Sequence, residues 1–262
     1  MVKKVAIISG GSSGIGLATA IYFLQHGYKV YGLSRSVTTQ AGIHHIPCDV
    51  GVEEQIHSAI DKILEEEGRI DVCIANAGFG ISGSLEGTRE QDALRQIDIN
   101  FHGALRLAKA ALPALRESKG RLIAVSSVAG TISIPYQALY SASKAALQSA
   151  FLALDNEIRG AGVRALTVLP GDTATPFTDN RVPNISDPDY YRKKAKASVD
   201  KMAADERKGK PPETVAKIIY RLATRKNPPP QTVVGLSYKF LALLYKLLPL
   251  RLGNWVVGKL YS

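Results

Sequence analysis

The chain has 262 residues, a formal net charge of +10 and 45% apolar residues. This length and apolar content favour one soluble globular domain spanning residues 1–262. With only two cysteines, Cys48 and Cys73, the sequence excludes a disulfide-rich secreted framework and predicts a reducing, cytoplasmic location. The apolar run at the amino terminus is too short for a secretory signal, and we interpret it as a first strand.

The positive charge is concentrated towards the carboxyl terminus. No acidic residue follows Glu213, whereas eight cationic residues do: Lys217, Arg221, Arg225, Lys226, Lys239, Lys246, Arg251 and Lys259. This asymmetry is typical either of contact with an anionic surface or ligand, or of a merely solvated basic face. A nucleic-acid binder is disfavoured because the cations are mixed with aliphatic residues, without the interleaved aromatic platform that single strands need.

Short β-branched runs alternate with helical patterns along the chain. The predicted strands are "KVAIIS", "KVYGLS", "GIHHIPC", "IDVCIAN", "GRLIAVSS" and "VRALTVLP". Between them lie predicted helices such as "GLATAIYFLQHG", "EEQIHSAIDKILEEEG", "DALRQIDINFHGALRLAKAALPALRES" and "ALYSASKAALQSAFLALDNEIRG". Several strands are apolar on both faces, as in a sheet covered by helices on both sides. The alternation predicts an α/β fold with a doubly wound parallel sheet in a single domain.

The polar, proline-flanked residues 177–212 differ from this pattern and are predicted to form a helical lid over a pocket. The segment 236–262 is hydrophobic and basic, and Pro249 divides it into two pieces too short to span a bilayer. Lys239 and Lys246 are seven residues apart, which places both on one side of a helix. Three roles remain open for this segment: a roof over a lipid pocket, docking on an anionic membrane surface, or packing on the domain or a neighbouring subunit.

A glycine-rich turn, "ISGGSSGIG", joins the first strand to the first helix. Gly10, Gly14 and Gly16 have the spacing G-x-x-x-G-x-G, which differs from the common G-x-G-x-x-G fingerprint. Glycines here let the backbone approach a phosphate, and the free N–H groups at the helix start favour negative charge. A plain tight turn is the alternative interpretation.

The second strand ends in "VYGLSRS", where an acidic residue would be expected to bind the ribose of NAD. Ser34 and Arg35 occupy this position instead. The guanidinium suits the extra 2′-phosphate of NADP, which predicts NADPH or NADP+ as cofactor in preference to NADH. A solvated loop arginine is the alternative.

Further motifs follow in order: "ANAG" at 75–78, "VSSVAG" at 125–130 and "YSASK" at 140–144. Ser127 precedes Tyr140 by thirteen positions, and Lys144 follows Tyr140 by four. With these motifs the sequence resembles the short-chain dehydrogenase/reductase family from residue 3 to about residue 176, and in particular its hydroxysteroid and retinol dehydrogenase-like members. The resemblance implies a Rossmann-like fold and hydride transfer between a nicotinamide and a carbonyl or alcohol.

The resemblance also implies roles for four catalytic residues. Tyr140 is the general acid or base, and Lys144 favours its phenolate and contacts the nicotinamide ribose. Ser127 holds the substrate oxygen, with Ser126 as the competing candidate. Asn100 holds a water that links Lys144 to solvent.

The implied cofactor contacts are Gly10, Ser12, Ser13, Gly14, Ile15, Gly16, Ser34, Arg35, Asp49, Val50, Asn76, Ala77, Gly78, Tyr140, Lys144, Pro170, Gly171, Thr173 and Thr175. Ala75 departs from the family's usual Asn-Asn-Ala-Gly and leaves one polar contact in doubt, and the choice between Thr173 and Thr175 stays open. No metal site is predicted, because the adjacent His44 and His45 point to opposite faces of a strand without other ligands at suitable spacing.

These features predict an NADPH-dependent oxidoreductase of a lipophilic carbonyl or alcohol, such as a steroid, bile acid, retinoid or acyl chain. A catalytically silent dinucleotide-binding redox sensor or scaffold is the alternative, which the complete catalytic set disfavours. Helices around residues 90–116 and 136–160 resemble those with which the family builds a four-helix interface, so we expect a homodimer or homotetramer.

Overall fold

The computed structural model describes residues 3–37, 39–183 and 186–261. For Pro183 it describes the backbone but not the side chain. Its strands are β1 (Val5–Ser9), β2 (Lys29–Ser34), β3 (Ile43–Pro47), β4 (Val72–Ala75), β5 (Ile81–Ser82), β6 (Arg121–Val125), β7 (Arg164–Leu169), β8 (Val182–Pro183) and β9 (Gln231–Val233). Its α-helices are α1 (Gly14–Gln25), α2 (Glu53–Glu67), α3 (Glu90–Ile97), α4 (Gly103–Ser118), α5 (Ala138–Ile158), α6 (Asp189–Arg207), α7 (Pro212–Thr224), α8 (Leu236–Leu247) and α9 (Leu250–Tyr261).

Seven strands form one parallel sheet in the order β3-β2-β1-β4-β6-β7-β9. The chain builds outward from β1 in both directions, so the order of the strands reverses between β1 and β4. In open α/β sheets, ligands bind beyond the carboxyl ends of the strands at such a reversal. The predicted doubly wound, Rossmann-like fold is confirmed, and its topology places the functional site at this crevice.

Two apolar layers sandwich the sheet because alternate strand residues point to opposite faces. On β1, Val5 and Ile7 join a core with α2, α4 and α5, whereas Ala6 and Ile8 join a core with α1 and α7. Both faces are covered by helices, which explains why these strands are continuously apolar in the sequence.

The helical pattern between residues 92 and 118 is interrupted in the structure. A π-helical turn at Asp98–His102 separates α3 from α4, and Asn100 within it is fully buried. Single π turns inside helices occur frequently at functional sites.

The carboxyl-terminal segment forms α8 and α9, which Pro249 separates as expected. Proline lacks the backbone N–H and restricts the residue before it, and Leu248 is extended accordingly. None of the described helices is long and apolar enough to cross a bilayer.

Candidate active site

The turn after β1 has a backbone that requires glycine. Gly10 and Gly14 adopt left-handed conformations with φ of +65° and +52°, and a Cβ atom on Gly16 would collide with the carbonyl oxygen of Gly10. Ser13 precedes α1 without capping it through its side chain, so backbone N–H groups of the first turn remain available. A large cavity is lined by Gly10, Ser12, Ser13, Gly14 and Ile15. Gly16 does not line this cavity but packs against the backbone of the turn. This cradle fits the diphosphate of a dinucleotide.

Ser34 and Arg35, after β2, line the same cavity with Asp49 and Val50. The Arg35 guanidinium is mostly exposed and lies 3.9 Å from the Asp49 carboxylate. The Ser34 hydroxyl donates to the carbonyl of Ser36 at 2.8 Å and lies 3.1 Å from Nε2 of His45. The hydroxyl is therefore engaged within the protein, and Arg35 is the group of this pair that is free to reach a ligand.

The ends of β1 and β4 are tied together beside the glycine turn. The Asn76 amide donates to the Ser9 carbonyl at 3.0 Å, and the Ser9 hydroxyl accepts from the N–H groups of Asn76 and Ala77. Ala75 lies in β4 within the buried core, where a polar side chain would lack solvent. The alanine at position 75, where the family more often has asparagine, is therefore consistent with the apolar packing of the sheet.

Tyr140 lies in the first turn of α5 and faces the cavity, with the ring of Phe177 5.7 Å away between centroids. Burial raises the pKa of Tyr140 to about 12, although a hydrogen bond with Ser127 acts in the opposite direction. The phenol therefore keeps its proton at neutral pH, as a general acid must. Desolvation is the largest cause of this shift, and the expected stabilisation of the phenolate by Lys144 stays a prediction.

Lys144 follows one helical turn later and is buried. Its ammonium donates to the Val125 carbonyl at 2.9 Å and lies 5.8 Å from the centroid of the Tyr140 ring. Burial lowers the pKa of Lys144 to about 8. The lysine is consequently still charged at neutral pH and loses its charge under mildly alkaline conditions.

The two serines after β6 have different surroundings. The Ser126 hydroxyl donates to the Lys144 carbonyl at 2.9 Å and is buried. The Ser127 hydroxyl accepts from the N–H of Ala129 at 3.1 Å and reaches Tyr140. Ser126 thus anchors α5 to the sheet, and Ser127 is the hydroxyl beside the phenol.

Asn100 is held by two hydrogen bonds with the backbone of Phe79, both 2.9 Å long, and donates to the Ser143 hydroxyl. Gly78 separates this amide from the lysine: a Cβ atom there would lie 3.0 Å from Oδ1 of Asn100 and 3.6 Å from Nζ of Lys144. The structure therefore brings Asn100, Lys144 and the end of β4 together, with only a glycine between them.

Beyond β7, residues 170–175 form a loop that closes the cavity. The Thr173 hydroxyl donates to the Gly171 carbonyl at 3.0 Å, whereas Thr175 lies against Gly14, with its Cβ 3.3 Å from the position of a Cβ there. The Thr175 hydroxyl has no hydrogen-bond partner among the described side chains and backbone groups, so it can face the diphosphate. Pro170 accepts from the N–H of Val128 at 2.9 Å, which fixes the start of the loop.

The carboxyl-terminal helix α8 rests on this loop. The Tyr238 ring covers Gly171 so closely that a Cβ atom would overlap it, and the Tyr238 hydroxyl donates to the Asp172 carboxylate. On α9, Val257 packs with Val128, Ile132 and Leu169. The segment 236–261 is therefore folded against the domain at the mouth of the crevice.

One cavity of about 680 Å³ is lined by the glycine turn, Arg35, Ser127, Tyr140, Lys144 and the loop after β7, whereas Asn100 is not part of its lining. It extends from the glycine turn past Tyr140 to an apolar end, lined by residues of α8, α9 and their connection, including Leu241, Leu244, Leu248, Val256 and Leu260. The volume and mixed lining are typical of a small-molecule site.

Besides Asp49, three carboxylates line the cavity: Asp172, Asp205 and Glu206. None of these three was predicted from the sequence. The available signal was Asp172 in "PGDTATP", because it is a charged residue that directly follows a strand, where ligands bind in α/β sheets. Glu206 pairs with Arg181, whereas Asp172 and Asp205 have no ion pair with any described residue. Burial raises the pKa of Asp172, and the charges of Glu206 and Asp205 add to this effect while the Tyr238 hydrogen bond opposes it.

His44 and His45 have ordinary partners. His44 packs at 5.1 Å from the ring of Tyr31, and His45 contacts Ser34. Among the residues that the structure describes, no group of three His, Cys, Asp or Glu is arranged to hold a metal ion.

Comparisons with known proteins agree with this geometry. The family model for short chain dehydrogenase matches residues 4–186. The 3-ketodihydrosphingosine reductase of Bacteroides thetaiotaomicron is 37% identical over 232 residues, covering 86% of each chain. The 3-oxoacyl-(acyl-carrier-protein) reductase MabA of Mycobacterium tuberculosis is 32% identical over 178 residues, covering 68% of this chain and 72% of that one. A solved short-chain dehydrogenase from Streptomyces avermitilis has a TM-score of 0.82 at 26% identity, covering 93% of each chain.

Two of these relatives are named as reductases, one of 3-ketodihydrosphingosine and one of 3-oxoacyl-(acyl-carrier-protein). The narrower resemblance to hydroxysteroid and retinol dehydrogenases stays a prediction. The matched region contains the glycine turn and the Ser127, Tyr140 and Lys144 group described above. The chain belongs to the short-chain dehydrogenase/reductase family and is an NAD(P)-dependent oxidoreductase acting on CH–OH and carbonyl groups.

Proposed function

We propose that this protein is an NADPH-dependent reductase of a long-chain lipid ketone that carries an amino group next to its carbonyl. The observation that supports the proposal most directly is the continuous cavity, which joins the dinucleotide turn, Tyr140 and the apolar lining of α8 and α9. Polar reacting groups at one end and leucines at the other suit a molecule with a polar head and an aliphatic chain.

The residues of the glycine turn and Lys144 would hold a reduced nicotinamide dinucleotide, which would supply the hydride for the carbonyl carbon when bound. Tyr140 donates its proton to the carbonyl oxygen, and Ser127 holds that oxygen by a hydrogen bond. Lys144 and Asn100 lie behind Tyr140, where the charged lysine stabilises the phenolate that proton donation leaves.

Arg35 supports the preference for NADPH. Its guanidinium is exposed at the end of β2 and its only described ion pair, with Asp49, is long at 3.9 Å. A 2′-phosphate can therefore compete for the guanidinium, which binds phosphate oxygens with two parallel hydrogen bonds. Thr175 beside Gly14 is the hydroxyl we propose for the diphosphate.

The carboxylates favour an amino ketone among the lipophilic substrates. The Bacteroides relative is named for 3-ketodihydrosphingosine, a long-chain ketone whose neighbouring amine is cationic at neutral pH. Asp172 and Asp205 line the cavity without an ion pair to any described residue, and the charge of Glu206 contributes to raising the pKa of the Tyr140 phenol. Carboxylates at this part of the lining favour an ammonium over the anionic carrier of a 3-oxoacyl thioester.

Further parts of the proposal concern the outer elements. The segment 177–212, which contains α6, acts as a lid, and the segment 236–262 roofs the cavity and contacts an anionic membrane surface peripherally. The enzyme is a cytoplasmic homodimer or homotetramer built through the helices at residues 90–116 and 136–160.

The test is NADPH oxidation by the purified protein with a panel of ketones. We expect turnover with 3-ketodihydrosphingosine to exceed that with a steroid ketone, retinal and a 3-oxoacyl thioester, and NADH to be the poorer cofactor. Turnover restricted to one of the other compounds would overturn the substrate class. Tight NADPH binding without oxidation by any ketone would instead support the redox sensor or scaffold.

A further inference from the structure

Helix α8 is apolar on two sides. One side, which includes Tyr238, Leu241 and Tyr245, lines the cavity. The other carries an outer stripe, defined as Leu236, Phe240, Leu243 and Leu247, whose exposed fractions range from 56% to 81%. Members of the outer stripe are three or four residues apart and therefore form one continuous surface. A second apolar face of this size is unusual for a helix in contact with water alone.

Four exposed cations accompany the outer stripe, namely Lys239, Lys246, Arg251 and Lys259, which we call the tail cations. No acidic residue occurs in α8 or α9. Trp255, on α9 between two of the tail cations, is 59% exposed. Exposed aliphatic side chains with cations and a tryptophan are the composition of helices that lie in the interface of an anionic bilayer.

A second copy of the chain fits this surface less well. A two-fold contact brings the same patch of both copies together, so the tail cations of one copy would face those of the other. With no acidic residue on either helix, this contact would be repulsive.

The outer stripe and the cavity are joined by Leu244. This residue is four positions from Phe240 and three from Leu247 on the helix surface, and it also lines the cavity. Leu241 and Leu260 likewise line the cavity, and the three leucines remain 39%, 40% and 47% exposed in the order Leu241, Leu244, Leu260. An apolar path thus leads from the outer stripe to the cavity without a charged residue in between.

We infer that the outer stripe and the tail cations seat α8 and α9 on an anionic lipid bilayer, and that the lipid ketone enters the cavity from this bilayer past Leu244. The inference rests on the proposed function for the identity of the substrate, but the docking surface stands on the exposed residues alone. A long-chain lipid then reaches Tyr140 without transferring its apolar chain through water, which is unfavourable for every CH₂ group of the chain.

Co-sedimentation with vesicles of phosphatidylglycerol and phosphatidylcholine tests the docking. We expect the parent protein to bind, and Lys239→Gln with Lys246→Gln to weaken binding by about 30-fold, because each cation near an anionic surface contributes about a fivefold factor. Phe240→Ser with Leu247→Ser should weaken it by about tenfold or more. Lys217→Gln with Arg221→Gln removes the same charge from α7, and Leu85→Ser with Leu94→Ser removes exposed leucines elsewhere; both controls should bind as the parent does.

Turnover in two formats tests the entry path. With 3-ketodihydrosphingosine in vesicles, we expect the rate to follow the mole fraction of substrate in the bilayer and to fall with vesicle binding in the α8 variants. With a short, water-soluble 2-amino ketone, the same variants should retain the parental rate, which also shows that they are folded. Failure of the parent to bind anionic vesicles, or equal binding by the α8 variants, would overturn the inference.

Two further outcomes distinguish bilayer docking from self-association and from a failure of the proposed function. A parental dimer that the Phe240→Ser, Leu247→Ser variant converts to monomers, with unchanged vesicle turnover, would assign this face to a second copy and overturn the inference. Vesicle binding that depends on the outer stripe, without reduction of either ketone, would support the docking surface and overturn the proposed function.

Discussion

Asp172 offers a sharp test of the substrate class because its charge can be removed with little change in shape. In Asp172→Asn, the amide oxygen can still accept the hydrogen bond that the Tyr238 hydroxyl donates, so the roof helix keeps its contact. For the proposed substrate, the interaction that this variant removes is a charge-assisted hydrogen bond with the ammonium. Such bonds contribute about 1.5 to 3 kcal/mol, which corresponds to an increase in KM of about 10- to 150-fold for the amino ketone.

The assay is steady-state NADPH oxidation with two ketones of equal chain length, one with and one without the neighbouring amine. We expect the large increase in KM only for the amino ketone, with kcat and the KM for NADPH close to the parental values. Asp179→Asn is the matched control, since Asp179 is exposed, pairs with Arg207 and lies outside the cavity lining. Equal changes for both ketones would show that Asp172 acts by holding the roof, and an unchanged KM would refute recognition of the ammonium.

Other predictions concern the cofactor, the proton and the assembly. Tyr140→Phe should reduce kcat to below a few per cent of the parental rate while NADPH affinity, measured by fluorescence titration, changes little, because only the donated proton is lost. Arg35→Asp should raise the KM for NADPH and narrow or reverse the preference over NADH, since a carboxylate repels the 2′-phosphate; equal kinetics of the parent with both cofactors would contradict this. Reduction requires the protonated forms of both Tyr140 and Lys144, so kcat/KM should fall as pH rises through about 8, where the buried lysine loses its charge, and a flat profile up to about pH 10 would argue against this role. Light scattering at micromolar concentration should give the mass of a dimer or tetramer, and a monomer would contradict assembly through the helices at residues 90–116 and 136–160.

The parallel sheet and much of the candidate site could be predicted from local patterns. Strands that are apolar on both faces, separated by amphipathic helices, specify a sheet covered on both sides. Tyr140 and Lys144 share a face of α5 because four residues nearly complete one helical turn. The glycines at positions 10, 14 and 16 indicate a tight turn in the sequence. In the structure, Gly10 and Gly14 have positive φ angles and Gly16 has no room for a Cβ atom.

Burial shifts the pKa values of these residues, and burial could not be read from the spacing. The four-residue interval predicts that Lys144 favours the Tyr140 phenolate, which stays a prediction, but it did not indicate that the ammonium bonds to the Val125 carbonyl or that desolvation raises the pKa of the phenol. The π-helical turn around Asn100 was equally hidden, as was the pairing of that amide with the backbone of Phe79, 21 residues earlier.

The carboxyl-terminal segment shows most clearly what a sequence pattern cannot predict. Its sequence determined two short amphipathic helices, basic and free of acidic residues, because proline ends the first of them and the apolar residues recur with the helical period. An amphipathic pattern states that a helix has an apolar face but not which surface that face meets. Only the tertiary structure decided that Tyr238 returns across 66 residues of sequence to Asp172, and that α8 thereby covers the cavity on one side and leaves leucines exposed on the other. Contacts this distant in sequence depend on the packing of the whole domain, which no local pattern encodes.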